Sequence, residues 1–218
     1  MLKSIVDYQN PNSLALRARK KRFDFFLKEI EPLPRPAKIL DVGGTQGFWE
    51  NMNFTHHKNF QIYILNLQHQ EMKYPHFTYV NGDATDLQQF DDGFFDLVFS
   101  NSVIEHLFTW ENQVKMAQEV QRVGKNYFVQ TPNYWFPIEP HFVFPFFQYL
   151  PKRYQVELVS NFNLGTIQKS NNKERAHKIV EEFKLLTITK MKDLFPDSNL
   201  YLEKYLGMTK SIVAYKIN

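Results

Sequence analysis

From Lys38 to Gln130, short apolar runs of strand length alternate with helix-like stretches, and that alternation leaves few architectures open. Lys38–Val42, Gln61–Leu65, Thr78–Val80, Leu97–Ser100 and Tyr127–Gln130 read as strands; a helical turn follows Gly47 and a helix is predicted near Asn112–Arg122. Strands separated by helices pair in parallel through crossovers, so the expectation is an α/β fold: a mainly parallel sheet with helices on both faces. The helix near Asn112 sets Val114, Ala117, Val120 and Val123 along one face, and Gly124 suits its end. Upstream, Ser13 is expected to cap a helix reaching about Ile30, with Leu16, Phe23, Phe26, Leu27 and Ile30 at helical spacing. Its opposite side, Arg17, Arg19, Lys20, Lys21 and Arg22, reads first as a solvated face and second as a lid or phosphate contact. Pro32, Pro34 and Pro36 then make a stiff connector, because none can donate a ladder hydrogen bond. In the tail, Leu185–Lys190 and Ser211–Ile217 read as strands, with Leu200–Tyr205 a shorter one between them, pairing antiparallel at a sheet edge. The polar run Asn161–Glu174 is expected to be a mobile loop.

With 218 residues and 43% hydrophobic content, the chain suits one domain with one sizeable core. It divides into an N-terminal helical cap and connector (1–37), a cofactor-binding core (38–133), an aromatic acceptor or lid region (134–184) and C-terminal strands (185–218). The net charge of +3 is far from the field of a dedicated nucleic-acid binder, so no nucleic-acid partner is expected. The absence of cysteine removes disulfides, thiolate metal sites and cysteine nucleophiles, and suits a reducing compartment. The first residues lack the pattern of a secretory or transit segment, and Phe142–Leu150, broken by Pro145, is too short for the ~20 residues of a membrane helix. A cytoplasmic protein is expected, with at most transient contact with a membrane surface; the sequence leaves the oligomeric state open.

Lys38–Trp49 is an apolar strand ending in an acid and then a glycine-rich turn, where a ligand can approach the backbone. The dinucleotide pattern G-x-G-x-x-G, started at Gly43, would need glycine at Thr45 and Phe48, which makes NAD a poor reading. Asp41-Val-Gly-Gly-Thr-Gln-Gly47 instead resembles the first motif of class I S-adenosylmethionine-dependent methyltransferases, acid-x-Gly-x-Gly-x-Gly, with Thr45 in place of the middle glycine. Further landmarks follow in the family's order. Gln61–Asn66 resembles the second strand, whose terminal acid holds the ribose hydroxyls and is here Asn66; Val80–Leu87 resembles the third strand and its loop, with Asp83 at the acid that meets the adenine amino group. Phe94–Leu107 resembles the fourth strand and the helix after it in small-molecule methyltransferases. The resemblance implies a Rossmann-like seven-stranded, mostly parallel sheet with an antiparallel last strand, S-adenosylmethionine as cofactor, and contacts from Asp41, Gly43, Gly44, Thr45, Gly47, Asn66, Leu67, Asp83, Ala84, Asn101 and Ser102.

Methyl transfer from a sulfonium chiefly requires donor and acceptor to be aligned, and a hydroxyl acceptor gains from a general base. Two of the seven histidines lie where such a base could act, His106 and His141. His141 is preferred as the catalytic residue, grouped with Asn133 and Glu139 after the fifth strand, while His106 reads as structural. No H-E-x-x-H or clustered helical ligand pattern occurs, and no metal is expected. Ser100-Asn-Ser-Val103 stands where base-modifying relatives resemble Asn-Pro-Pro-Tyr, which argues against base methylation. The aromatic run Phe136, Phe142, Phe144, Phe146, Phe147 and Tyr149 reads mostly as core or lid packing, with an apolar acceptor pocket as the alternative, and Phe146→Ser is expected to lower acceptor turnover more than cofactor affinity. The function expected is methyl transfer to a small-molecule, glycan or lipid-like acceptor; the alternative is a non-catalytic S-adenosylmethionine-binding or regulatory protein, motivated by Thr45 and Asn66.

Overall fold

The structure, a computed structural model, describes residues 14–218, so the expected Ser13 cap lies outside the described residues. The chain runs α1 (Leu14–Glu29), β1 (Ala37–Val42), α2 (Gln46–Asn51), β2 (Phe60–Asn66), β3 (Phe77–Asn81), β4 (Leu97–Asn101), α3 (Trp110–Val123), β5 (Tyr127–Pro132), β6 (Ile138–Glu139), β7 (Phe144–Pro145), α4 (Lys152–Asn161), α5 (Lys173–Glu182), α6 (Ile188–Leu194), β8 (Asn199–Tyr205) and β9 (Met208–Lys216). The main sheet has the order β3-β2-β1-β4-β5-β9-β8. β1 to β5 pair in parallel, and β9 runs antiparallel to both β5 and β8. The expected fold is therefore the observed one, including the reversed last strand and the hairpin that closes one edge.

Alternation along each strand sorts side chains to two faces. Ala37 and Ile39 of β1, Leu97 and Phe99 of β4, Phe128 of β5 and Val213 of β9 meet Phe23, Phe26 and Ile30 of α1 and Trp49 of α2. Leu40, Val42, Val98, Tyr127, Val129, Ile212 and Ala214 face the other way, onto Met116, Ala117, Val120 and Val123 of α3 and Met191 and Leu194 of α6. Each large side chain so buried contributes roughly 1.5–3 kcal/mol, which is why α1, with a polar mean character, still docks firmly through its phenylalanine stripe. A third, smaller core lies outside the sheet, where Phe142, Phe147, Val156, Val159, Leu164, Ala176 and Val180 join α4 to α5.

Three readings of the sequence change. Leu185–Lys190 is no strand: Leu186 makes an isolated bridge to Asn133, and the Thr187 hydroxyl accepts from Lys190 N to cap α6. Asn161–Glu174 is not wholly loop, because the Asn172 side chain accepts from Arg175 N and starts α5 at Lys173. Arg22 leaves the solvated face of α1: it is buried, with Nη1 2.5 Å from Glu203 Oε2 and Nη2 donating to Asn101 Oδ1 at 2.9 Å. Gly124 does end α3, for a different reason than expected. Its φ is −106°, and a Cβ there would lie 2.6 Å from Val98 Cγ2, so close packing on β4 excludes a side chain. Among the described residues, no helix is long and apolar enough to cross a membrane.

Candidate functional site

The order β3-β2-β1-β4-β5 reverses direction between β1 and β4, and open α/β sheets hold ligands in the crevice at such a switch, beyond the carboxyl ends of the strands. The glycine-rich turn sits there. Gly43 has φ +71°, and a Cβ on it would lie 2.6 Å from Val103 Cγ2; on Gly44 it would lie 1.8 Å from Asp41 Oδ2. Both glycines are thus required by the protein's own packing. Thr45 has extended backbone, φ −137°, open to any residue, and its hydroxyl accepts from Phe48 N at 3.3 Å as the α2 cap. The missing middle glycine therefore costs the turn nothing. Gly47 differs: nothing lies within 4 Å of where its Cβ would be, which leaves bare backbone open to a ligand.

Asp41 is buried and its Oδ2 accepts from the Trp49 indole at 2.7 Å; burial pushes its carboxyl up to about 8, against the lowering effect of that bond. It props the turn from beneath. Asn66 at the end of β2 donates to the Gly44 carbonyl at 3.0 Å, Gln70 donates to the same oxygen at 3.1 Å, and Asn66 Oδ1 accepts from Gln68 N. Beyond this lacing, Leu67 is 73% exposed, an apolar face left open on the rim. In the β3 loop, Asp83 Oδ1 accepts from both Thr85 N and Thr85 Oγ1 at 2.8 Å, which fixes the carboxylate and leaves Oδ2 for a ligand; Ala84 follows it. At the end of β4, Asn101 is held by Arg22, and Ser102, with φ +58°, donates from Oγ to Gln130 Oε1 at 3.0 Å. The eleven positions expected to touch cofactor thus all fall at the carboxyl ends of β1 to β4, but Asp41 lies buried beneath the turn, and Asp41, Thr45, Asn66, Asn101 and Ser102 bond protein partners with their side chains.

A second polar cluster lies beside this rim. His106 and Glu105 sit in the short 3-10 turn Ile104–His106 that follows β4, and His141 follows β6. The His141 Nδ1 lies 2.6 Å from Glu139 Oε1, while Glu139 Oε2 accepts from the backbone N of His141 and Phe142 at 2.8 and 2.7 Å. With a carboxylate on Nδ1, the lone pair of the neutral ring is directed to Nε2. His141 stacks on Phe183 at 4.1 Å and meets the His106 ring edge-on at 4.9 Å. Glu105 is fully buried; its Oε2 accepts from Thr131 Oγ1 at 3.0 Å and its Oε1 has no hydrogen-bond partner. Burial lifts Glu105 to about 7 against the pull of His141, and burial with the His141 charge lowers His106 to about 4. Burial also opposes charge on His141, but the Glu139 bond and the charges of Glu139, Glu105 and Glu182 outweigh it and raise its pKa.

Asn133 does not join this group as expected; its side chain donates to the Thr209 carbonyl at 2.8 Å. Glu105, in contrast, belongs to the cluster and had been given no role. Its one sequence signal is an acid set in the apolar run Val103–Leu107. Next to Glu139 opens a cavity of about 390 Å³, lined by Trp110, Tyr134, Phe142, Phe183 and Lys184 among others. Phe142 and Phe147 stack at 3.9 Å in its wall, whereas Phe146 is 55% exposed and forms no part of that wall.

Residues 40–127 match the model of the methyltransferase domain family. Two curated proteins of Mycobacterium tuberculosis, each named only as an uncharacterized protein, are 43% identical over 53 residues, 24% of this chain and 18% of theirs. The match thus spans less than a fifth of their length. Among solved structures, a SAM dependent methyltransferase from Archaeoglobus fulgidus superposes with a TM-score of 0.56 at 12% identity, covering 92% of this chain and 94% of its own. The CurJ carbon methyltransferase gives a TM-score of 0.58 at 14% identity over 95% of this chain and 56% of its own. At such identities these likenesses establish the fold. Residues 40–127 are thus similar to a methyltransferase domain, and the chain around them has the fold of the class I S-adenosylmethionine-dependent methyltransferases.

Proposed function

We propose that this chain moves a methyl group from S-adenosylmethionine to a small or lipid-like acceptor held in the cavity beside Glu139, the residue that holds His141. The observation that carries the cofactor half is Gly47: its bare backbone after β1 is followed along the sheet by the exposed Leu67 after β2 and the fixed carboxylate of Asp83 after β3, an order that fits an adenosine with an apolar face and an exocyclic amine. Gly43, Gly47, Leu67, Asp83, Ala84 and Ser102 would hold it, and Asn66 would offer an amide where charge is absent. When bound, S-adenosylmethionine supplies a methyl group on a good leaving sulfide. The chain's own part is then to position the acceptor and take its proton. Glu139 holds His141 with Nε2 free for that task, and Phe183 fixes the ring plane.

An acceptor with an apolar body is supported by the cavity wall; the exposed aromatics Trp135, Phe146 and Tyr149, outside that wall, suit brief contact with a membrane surface. We place the protein in the cytoplasm, where a cysteine-free chain is at home. Calorimetric titration with S-adenosylhomocysteine, with NAD as control, tests the cofactor half without the acceptor. Saturable binding of the first alone, weakened at least tenfold in Asp83→Ala, is expected; no binding would overturn the proposal. A non-catalytic reading draws on Asn66, whose uncharged amide is already bonded to Gly44. Tight binding with no methyl transfer across an acceptor screen would select it.

A further inference from the structure

The least explained group in the molecule is the Glu105 carboxylate. A fully buried oxygen without a hydrogen-bond partner loses its solvation and gains no hydrogen bond in exchange, a cost that structures seldom leave standing. Two imidazoles lie within reach of it. One ligand atom each from Glu105, His106 and His141 can be chosen so that all lie within 4.8 Å of one another. No hydrogen bond joins Glu105 to either ring among the described residues, so the three converge without a proton bridging them.

We propose that Glu105, His106 and His141 form a binding site for a divalent transition-metal cation. Two imidazole nitrogens and one carboxylate oxygen are the donor set of borderline cations such as Zn²⁺, and a poor one for Mg²⁺ or Ca²⁺, which prefer oxygen throughout. Metal–ligand lengths of about 2.0–2.2 Å place tetrahedral ligand atoms roughly 3.3 Å apart, so the side chains close by about 1.5 Å at most. The His106 side chain is 34% exposed, with Nδ1 3.7 Å from Glu182 and the ring edge-on to Phe183 and His141, so the movement falls to this less buried partner. The ring of His141 is already oriented: Glu139 occupies Nδ1 and presents Nε2, the carboxylate–histidine arrangement that supports metal ligands elsewhere. Thr131 does the same for Glu105 by holding Oε2 and leaving Oε1. Three protein ligands leave a fourth position for water or another donor.

The binding claim does not rest on the methyl-transfer reading, but it bears on it. A cation and a proton compete for the same Nε2 lone pair of His141, so the loaded protein cannot use that ring as a base. The test is calorimetric titration of the full chain, freed of metal by dialysis against a chelator, with ZnCl₂ and separately with MgCl₂. One saturable Zn²⁺ site is expected, with Mg²⁺ at least a hundredfold weaker. Glu105→Gln and His106→Ala should each weaken Zn²⁺ at least tenfold while S-adenosylhomocysteine binding and melting temperature stay unchanged; His57→Ala should leave Zn²⁺ binding intact. His106 is partly exposed, so its variant reports even if the buried Glu105 variant fails to fold. Co²⁺ added to the metal-free protein should give visible absorption bands of a low-coordinate site, lost in His106→Ala. Zn²⁺ affinity unchanged in His106→Ala, or Mg²⁺ binding as tightly as Zn²⁺, overturns the proposal.

Discussion

The rim over β1 to β3 keeps its ligand-facing groups open, whereas the cluster against the end of α5 turns its charged groups inward against one another. On the rim, Gly47 and Leu67 face empty space, and the protein's polar groups are satisfied by short local bonds. In the cluster, Glu105, Glu139 and His141 are all largely buried and brought together from two distant segments. An open rim can exchange a cofactor without disturbing the fold; a buried cluster must be held rigidly because each polar atom left alone there is costly. The contrast separates binding, carried by backbone shape, from chemistry, carried by side chains.

The sharpest way to break that separation is His141→Asn. It should lower methyl transfer by at least about a hundredfold, the usual weight of a general base, with S-adenosylhomocysteine affinity within twofold by calorimetry. Equal losses in both would merge the two regions. Next come two glycines one turn apart. Gly44→Ala pushes a methyl into Asp41 and should cost about 1–3 kcal/mol in chemical denaturation. Gly47→Ala meets no protein atom, so its melting temperature should hold while S-adenosylhomocysteine affinity falls about tenfold, or ~1.4 kcal/mol.

Asp41 offers a pH test. Its folded pKa, raised to about 8 by burial, exceeds the ordinary 3.8, so the unfolded chain loses this proton first. The stability it contributes is full below about pH 4 and drains away as pH rises to about 8. Asp41→Asn should flatten that decline in urea melts at a series of pH values; an unchanged slope would mean that the carboxyl ionises freely in place. The smallest effect belongs to Phe146→Ser. The sequence favoured a role in acceptor turnover, but the side chain is exposed and outside the cavity wall, so turnover and affinity should both stay within twofold; Phe142, buried in that wall, is where such a loss is expected instead.

What could be read beforehand was local. β1, the glycine turn and the strands after it announce themselves through period-two burial and turn chemistry within a dozen residues. Leu185–Lys190 misled because its β-branched run looks like a strand, while a single threonine hydroxyl decides for helix. The cluster was hidden more deeply. Glu105 and His141 meet only after β4 and β5 pair and the Glu139 loop folds back, and no spacing along the chain encodes that approach. Arg22 is hidden for the same reason: its basic neighbours suggest solvent, and its partner is Glu203.

That last pairing sets a timetable for synthesis. Arg22 and Glu203 are 181 positions apart, and Phe25 of α1 stacks on Tyr201 at 4.2 Å. At roughly 5–20 residues per second, the ribosome needs about 10–35 s to deliver the second partner after the first. Through that interval Phe23 and Phe26 of α1 can already pack on Trp49, Phe99 and Phe128, but Arg22 waits for its counter-charge and Phe25 for its stacking partner until the closing hairpin emerges.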